Sequence, residues 1–450
     1  MERNGVLCVN SLQTESHCKY IKTQNLQSSE LINSLLVFFL MYFSNDTYLF
    51  GTNSNSFYVS LPRYILLLFC LFGLVYVIKI KSIQEHKKRI AMYCILMLTF
   101  VIVSLINHEN TNRTINKALF MTGGLLLCII LDYYAYSIAY RNAMLFISIS
   151  SNILWILAYL VPDLVMNLPQ IQNTVGVRFA TIYFAGLDLR TINSATIRNG
   201  GIFWEPGVYQ IFLNLAVLFE LFIEERPRKR YLFAYCVALL STFSTTGYIA
   251  FFWMILMYII FGGKIQRISK GSRWMLFLPI ITIILFFAIT GTTIGRQVFG
   301  KASNLNDGTT MVRFASFFAS IDIARLHPLS GVGMERVGDY MYQITVASDF
   351  YHGWTRQNSN TLLYQFAAHG CIFGGLFLAG TSFFGRVFKR GNAFAFFVFI
   401  LISIFYMGEN LMVSILPYVI IFYGIGLSND LQNRKDNILN ECNKSRYFIY

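Results

Sequence analysis

Charge is what this sequence has least of. Asp, Glu, Lys and Arg supply 13% of its 450 residues, against 55% hydrophobic residues and a mean hydropathy of +0.53. A soluble chain carries about 25% charged residues, so most of this surface does not face water and the chain reads as an integral membrane protein. Alternation of apolar and polar residues is missing as well, which sets aside a β-barrel. Cysteine occurs eight times but never as CxxC; Cys8, Cys18 and Cys442 lie in polar tails and the other five in apolar runs. Neither a zinc site nor a disulfide framework is indicated. The first thirty residues hold no short apolar core followed by a cleavage site. No removable signal peptide is therefore expected, and the first span serves as the insertion signal. No repeat, low-complexity tract or Pro-rich linker is visible.

What is present is a series of apolar runs, at 31–43, 61–78, 90–106, 118–139, 143–161, 206–223, 231–244, 247–262, 274–291, 361–383, 393–407 and 411–427. Each is compatible with a helix, and 31–43, 231–244 and 393–407 are short for a span. The expectation is an all-α polytopic membrane protein of about twelve transmembrane helices. It has a cytoplasmic tail at 1–30, a membrane domain at 31–427 and a second tail at 428–450. Two long outer loops, 162–205 and 292–360, are expected to contain short helices, one of them over Met311 to Leu326.

The net charge of +14 bears on orientation before it bears on a nucleic-acid partner, and none is expected. With both termini inside, the inner segments hold 24 of the 36 basic residues, Arg141 and the Lys79–Arg89 cluster among them. The outer twelve include Arg190, Arg198, Arg313, Arg356 and Lys117, and ten of them are Arg. Guanidinium is the better fork for phosphate and carboxylate oxygens. The plain alternative is that these arginines pair with loop acids such as Asp322 or Asp339.

Four stretches carry possible chemistry. Arg190 to Gly207 places two arginines upstream of Gly200-Gly201-Ile-Phe-Trp204-Glu205-Pro206-Gly207. Pro206 suits the first turn of a helix, and Glu205 stands at its positive end, as a dipole partner alone or as a reactive carboxylate. His327-Pro-Leu-Ser-Gly331-Val-Gly333 reads as a tight turn, and Ser241 to Gly247 as a break between two short spans. The fourth, Arg356-Gln-Asn358-Ser-Asn360-Thr-Leu-Leu363, leads into Ala368-His369-Gly370.

In this order, over most of residues 170–425, these features resemble the bacterial O-antigen polymerases and the related O-antigen ligases; the first five spans match only in hydropathy. Arg190 and Gly201, with ten residues between them, are similar to the arginine–glycine motif of polymerase loops. The family's His-Asn-x-x-Leu motif aligns with Ser359-Asn360-Thr-Leu-Leu363, so Ser359 stands where the histidine is usual and His352 is the loop histidine that can replace it. The resemblance implies a glycosyltransferase at the periplasmic face of the bacterial inner membrane, without metal or cofactor. Donor and acceptor would be undecaprenyl-diphosphate-linked oligosaccharides, and a chain-length regulator and a flippase would be partners.

Independently of that likeness, a diphosphate leaving group needs its developing charge stabilised, which arginines do without a metal. An attacking hydroxyl needs a base, and Glu205 and His352 are both candidates. Arg198 joins them as a catalytic candidate. Arg190, Arg313 and Arg356 are the candidates for holding the diphosphate, and the resemblance adds Asn360, Gly201 and Trp204 for diphosphate and glycan. A ligase acting on lipid A-core shares architecture and donor. A twelve-span transporter or flippase is disfavoured by the lack of an internal repeat, and because Asp132 and His369 are nearly alone as ionisable residues within the runs. Reporter fusions at positions 185 and 345 test the topology. Both are expected to read out on the outer side, and a cytoplasmic signal at either overturns it.

Overall fold

The computed structural model describes residues 29–50, 56–80, 83–173, 176–192, 196–223, 227–262, 308–347, 355–356, 358–412 and 414–426. It is mostly helical. The longer helices are α1 (Ser29–Tyr42), α2 (Ser56–Ile80), α3 (Lys87–Ile106), α4 (Thr111–Ile130), α5 (Tyr133–Leu160), α6 (Pro206–Phe222) and α7 (Lys229–Ser241). They continue with α8 (Thr245–Phe261), α9 (Gly308–Leu326), α10 (Val337–Val346), α11 (Thr361–Ser382), α12 (Asn392–Gly408) and α13 (Leu416–Ile425). Every expected run carries a helix except 274–291, which lies outside the described residues. Among the described residues, five helical segments are long and apolar enough to cross a membrane: Ser60–Lys79, Gln84–Ile106, Thr111–Ile130, Tyr133–Leu160 and Thr361–Phe388. The described residues are thus mostly helical, with little sheet and with membrane-spanning character.

Two boundaries differ from the hydropathy reading. The fourth helix ends at Ile130, because the Asp132 carboxylate accepts the Ala135 N–H at 2.7 Å and starts a new helix there. Arg141, expected in a connection, therefore lies inside α5. It is fully buried against Glu220 of α6 at 3.0 Å, and Arg228 closes on the same carboxylate at 2.8 Å. Residues 162–205 include two short helices, Pro162–Met166 and Leu189–Ile192, and also an antiparallel sheet. Its strands β1 (Gln170–Gln172), β2 (Arg178–Thr181) and β3 (Gly186–Asp188) pair Ile171 with Phe179 and Ala180 with Leu187. Three- and four-residue strands are too short for a period-two pattern to register. A small core of Leu154, Ala158, Val165, Ala180, Leu187 and Ile197 fastens the sheet to the end of α5.

Helix α11 is broken. Gly370 takes φ 76° and ψ 178°, a backbone open to glycine. The break leaves groups without a helical partner, and the 328–333 turn supplies them. Val332 N–H donates to Ala367 O at 2.9 Å, Gly333 N–H to Ala368 O at 3.0 Å, and Cys371 N–H to Pro328 O at 2.6 Å. The backbones lie so close that a Cβ on Gly331 or Gly370 would overlap main-chain atoms of the other segment. The turn read from sequence is thus the splint of a broken helix.

Far more ionisable groups are buried within helices than the expected pair. Arg89, Lys117, Arg141 and Glu220 join His369, and Asp132 sits at a helix start. Removing one member of a buried ion pair strands the other. Glu220→Leu is expected to cost about 3–5 kcal/mol, seen as a lower melting temperature in detergent. Combining it with Arg141→Leu should recover much of the loss; equal damage in single and double variants would refute the pairing.

Candidate functional site

The segment entering α6 is fixed on both sides. Asn199, fully buried, donates its N–H to Ser241 O at 2.8 Å and its Nδ2 to Ser241 Oγ at 3.0 Å, and its Oδ1 accepts the Gly201 N–H at 2.9 Å. Gly201 turns with φ +61°, and the Tyr209 ring fills the space any Cβ would need. Beyond it, Tyr48 N–H reaches Ile202 O at 3.1 Å and Trp204 N–H reaches Asp46 O at 3.1 Å. Arg198 and Glu205 thereby hang from a clamped backbone.

Glu205 is the N-cap residue of α6, with extended backbone and Pro206 following, yet its carboxylate makes no capping hydrogen bond. The dipole role alone does not account for where the side chain goes. It lies half-buried within electrostatic reach of Arg198 and Arg313. Arg198 anchors its Nε on Thr242 O at 3.1 Å. Arg313, on the helix that the sequence placed over Met311–Leu326, spreads its fork. Nη1 donates to Thr246 Oγ1 at 3.0 Å and Nη2 to Glu409 Oε1 at 2.8 Å. Glu409, buried at the end of α12, rests its carboxylate on Gly207, where any Cβ would overlap it. Gly408 in turn makes room for Thr246.

Four charged side chains from three distant parts of the chain therefore meet at the heads of α6 and α8 and the end of α12: Glu205, Glu409, Arg198 and Arg313. Burial raises both carboxyls above the ordinary range. The two arginines pull Glu205 back down, while Glu205 raises Glu409 further. Two carboxylates against two guanidiniums balance in charge.

Asn360 borders this cluster. It is buried as the N-cap of α11, with Oδ1 accepting Leu363 N–H at 2.8 Å and Nδ2 left without an acceptor. Its neighbour Thr361 donates to the Glu409 carbonyl at 2.7 Å. Ser359 meets Ser316 of α9 at 2.9 Å. Trp204 sits partly exposed beside Glu205. Two other candidates stand apart in exposed ion pairs, as the plain alternative had it. Arg190 is committed to Asp188 at 2.7 Å, and Arg356 lies over the Tyr342 ring, 3.8 Å from Asp339. His352 lies outside the described residues.

Sequence reasoning missed Glu409, and read the Ser241–Gly247 stretch that holds Thr246 as a break between two spans. The available signal was an acid directly after a long apolar run, Phe405-Tyr-Met-Gly-Glu409, and no spacing rule links it to Glu205. A second polar cluster was missed as well. Lys117, buried in α4, donates to Gln365 Oε1 at 2.7 Å and to His369 Nε2, inside a cage of Phe100, Tyr364 and Phe373.

The chain matches no protein-family model and no curated protein.

The raised Glu409 carboxyl has a measurable consequence. The folded state holds this proton more tightly than the unfolded chain does. The stability it contributes is complete below the ordinary carboxyl value and lost as pH rises through the raised one. The melting temperature should fall as pH climbs from the ordinary carboxylate range towards neutrality and beyond, and Glu409→Gln should flatten that slope. An unchanged slope in the variant would remove Glu409 as its source.

Proposed function

We propose that the chain is an O-antigen (surface polysaccharide) polymerase, a glycosyltransferase joining undecaprenyl-diphosphate-linked oligosaccharide repeat units. The observation that carries the reading is the meeting of Glu205 and Glu409 with Arg198 and Arg313 where membrane-type helices begin and end. In this reading twelve helices span the bacterial inner membrane, both termini are cytoplasmic and the cluster faces the periplasm. The partners are the lipid-linked donor and acceptor, a chain-length regulator and a flippase.

The chemistry needs no metal or cofactor. The acceptor's sugar hydroxyl gives its proton to Glu205 while its oxygen bonds to the donor's anomeric carbon. The bond from that carbon to the diphosphate breaks, and the departing diphosphate takes the electron pair. Arg198, and the Arg313 fork held in place by Glu409 and Thr246, oppose the developing charge. Trp204 offers a ring for a sugar face, and Asn360 Nδ2 an unspent donor. Arg190 and Arg356 must leave their aspartates to take part, and His352 is the other base. A ligase passing the glycan to lipid A-core would use the same groups.

One observation favours a second reading, a flippase or transporter for lipid-linked glycan. The Lys117–His369 pair lies directly beside the broken helix at Gly370, and ionisable groups at helix breaks are characteristic of transport pathways.

Gene deletion followed by glycan gel analysis separates these readings. Loss of the ladder above one repeat unit supports the polymerase. Complete loss of lipid A-attached glycan points to the ligase or the flippase, and polymer still accumulating on its lipid carrier then singles out the ligase. For the base itself, Glu205→Gln at normal abundance is expected to cut polymerisation by about 10²–10⁴-fold. Near wild-type polymer would return Glu205 to helix capping and leave His352 as the base.

A further inference from the structure

The turn between β2 and β3 has a surface at odds with a loop in water. Three of its four residues are apolar and exposed, Ile182 at 36%, Tyr183 at 56% and Phe184 at 43%, while Ala185 is buried. They extend an apolar strip that runs over Phe39 of α1 and Phe146, Ile149 and Ile153 of α5, all likewise exposed. Phe184 wedges between those two helices, its ring 5.3 Å from Phe146, 6.0 Å from Tyr42 and 6.2 Å from Phe38.

The backbone supplies the independent observation. A turn in water leaves N–H and C=O groups to the solvent, whereas in hydrocarbon each unmatched group costs several kcal/mol. From Ile182 to Phe184 every one faces a partner within the protein, the Phe184 carbonyl sharing the single Ser150 hydroxyl proton with Phe146 O and Ile147 O. Ile182 N–H donates to Ala185 O at 3.0 Å, Phe184 N–H to Ile182 O at 2.9 Å, and Tyr183 N–H to Thr181 Oγ1 at 2.7 Å. The Tyr183 carbonyl accepts from the Tyr48 hydroxyl at 3.1 Å and the Phe184 carbonyl from the Ser150 hydroxyl at 3.1 Å. Tyr183 is held at φ +66° to achieve this, a conformation that side chains other than glycine seldom adopt.

The level along the bundle also fits. Ser150 belongs to α5, and its neighbour Ser151 meets the Tyr209 hydroxyl at 3.0 Å in the first turn of α6. The tip thus stands level with the first turn of α6 and alongside the apolar body of α5, ten residues short of that helix's end at Leu160.

We infer that Ile182-Tyr183-Phe184 is a lipid-inserted anchor, dipping into the acyl boundary of the leaflet next to the Glu205 cluster. Its partner is the bilayer itself. The anchor ties the sheet and the segment carrying Arg198 and Glu205 to a fixed depth, whichever chemistry the cluster performs.

The test uses the full chain in lipid vesicles, with Tyr183→Trp compared against Gln172→Trp on exposed β1 of the same sheet. The added fluorescence of Tyr183→Trp should be quenched by lipids brominated on the acyl chain, and severalfold less by iodide than that of Gln172→Trp. Ile182→Trp repeats the measurement should Tyr183→Trp lower the melting temperature. Iodide quenching equal to that at Gln172, without quenching by bromolipid, overturns the anchor.

Discussion

A backbone carbonyl left at the end of a helix among apolar side chains has to find a donor, and this protein brings charged ones to the task. Arg89 is fully buried and donates Nη1 to Cys128 O of α4 at 2.9 Å and Nε to Phe422 O of α13 at 3.1 Å. Arg390 does the same for Phe261 O of α8 at 2.9 Å and Phe222 O of α6 at 3.3 Å. Each guanidinium joins the ends of two helices and places a cation at their negative ends. Because Arg390 ties α6 to α8 at these ends, the opposite ends of the same two helices, where Glu205 and Thr246 lie, are held in register.

The charged cluster follows the same economy. A lone carboxylate at the depth of Glu409 would be expensive. The fork of Arg313 makes it tolerable, and Gly207 makes it possible sterically. The Trp-Glu-Pro-Gly sequence then has a residue-by-residue explanation. Pro206 starts the helix, Gly207 admits a carboxylate from α12, and Glu205 is turned away from capping towards the arginines.

Hydropathy located nearly all the helices, since a run of apolar residues and a membrane helix are almost the same thing. It misplaced α5, where a single Asp132 cap decides the boundary, and it had no purchase on strands of three residues. The site was half legible. Arg198, Glu205, Arg313 and Asn360 were readable because residue type and local motif mark them. Glu409 and Lys117 were not, because what defines them is a partner more than ninety residues away in sequence. Arg190 and Arg356 looked the same as Arg198 in sequence, and only the aspartates beside them tell them apart.

The order in which the chain is made adds a consequence. Arg198 and Glu205 leave the ribosome long before Arg313, and Arg313 before Glu409. During insertion Glu205 has Arg198 as its sole charged neighbour from this set. Arg313 then arrives as an unmatched cation, and neutrality returns only when the end of α12 slides over Gly207. The polar face shared by α6 and α8 is therefore completed by a residue from the last tenth of the chain.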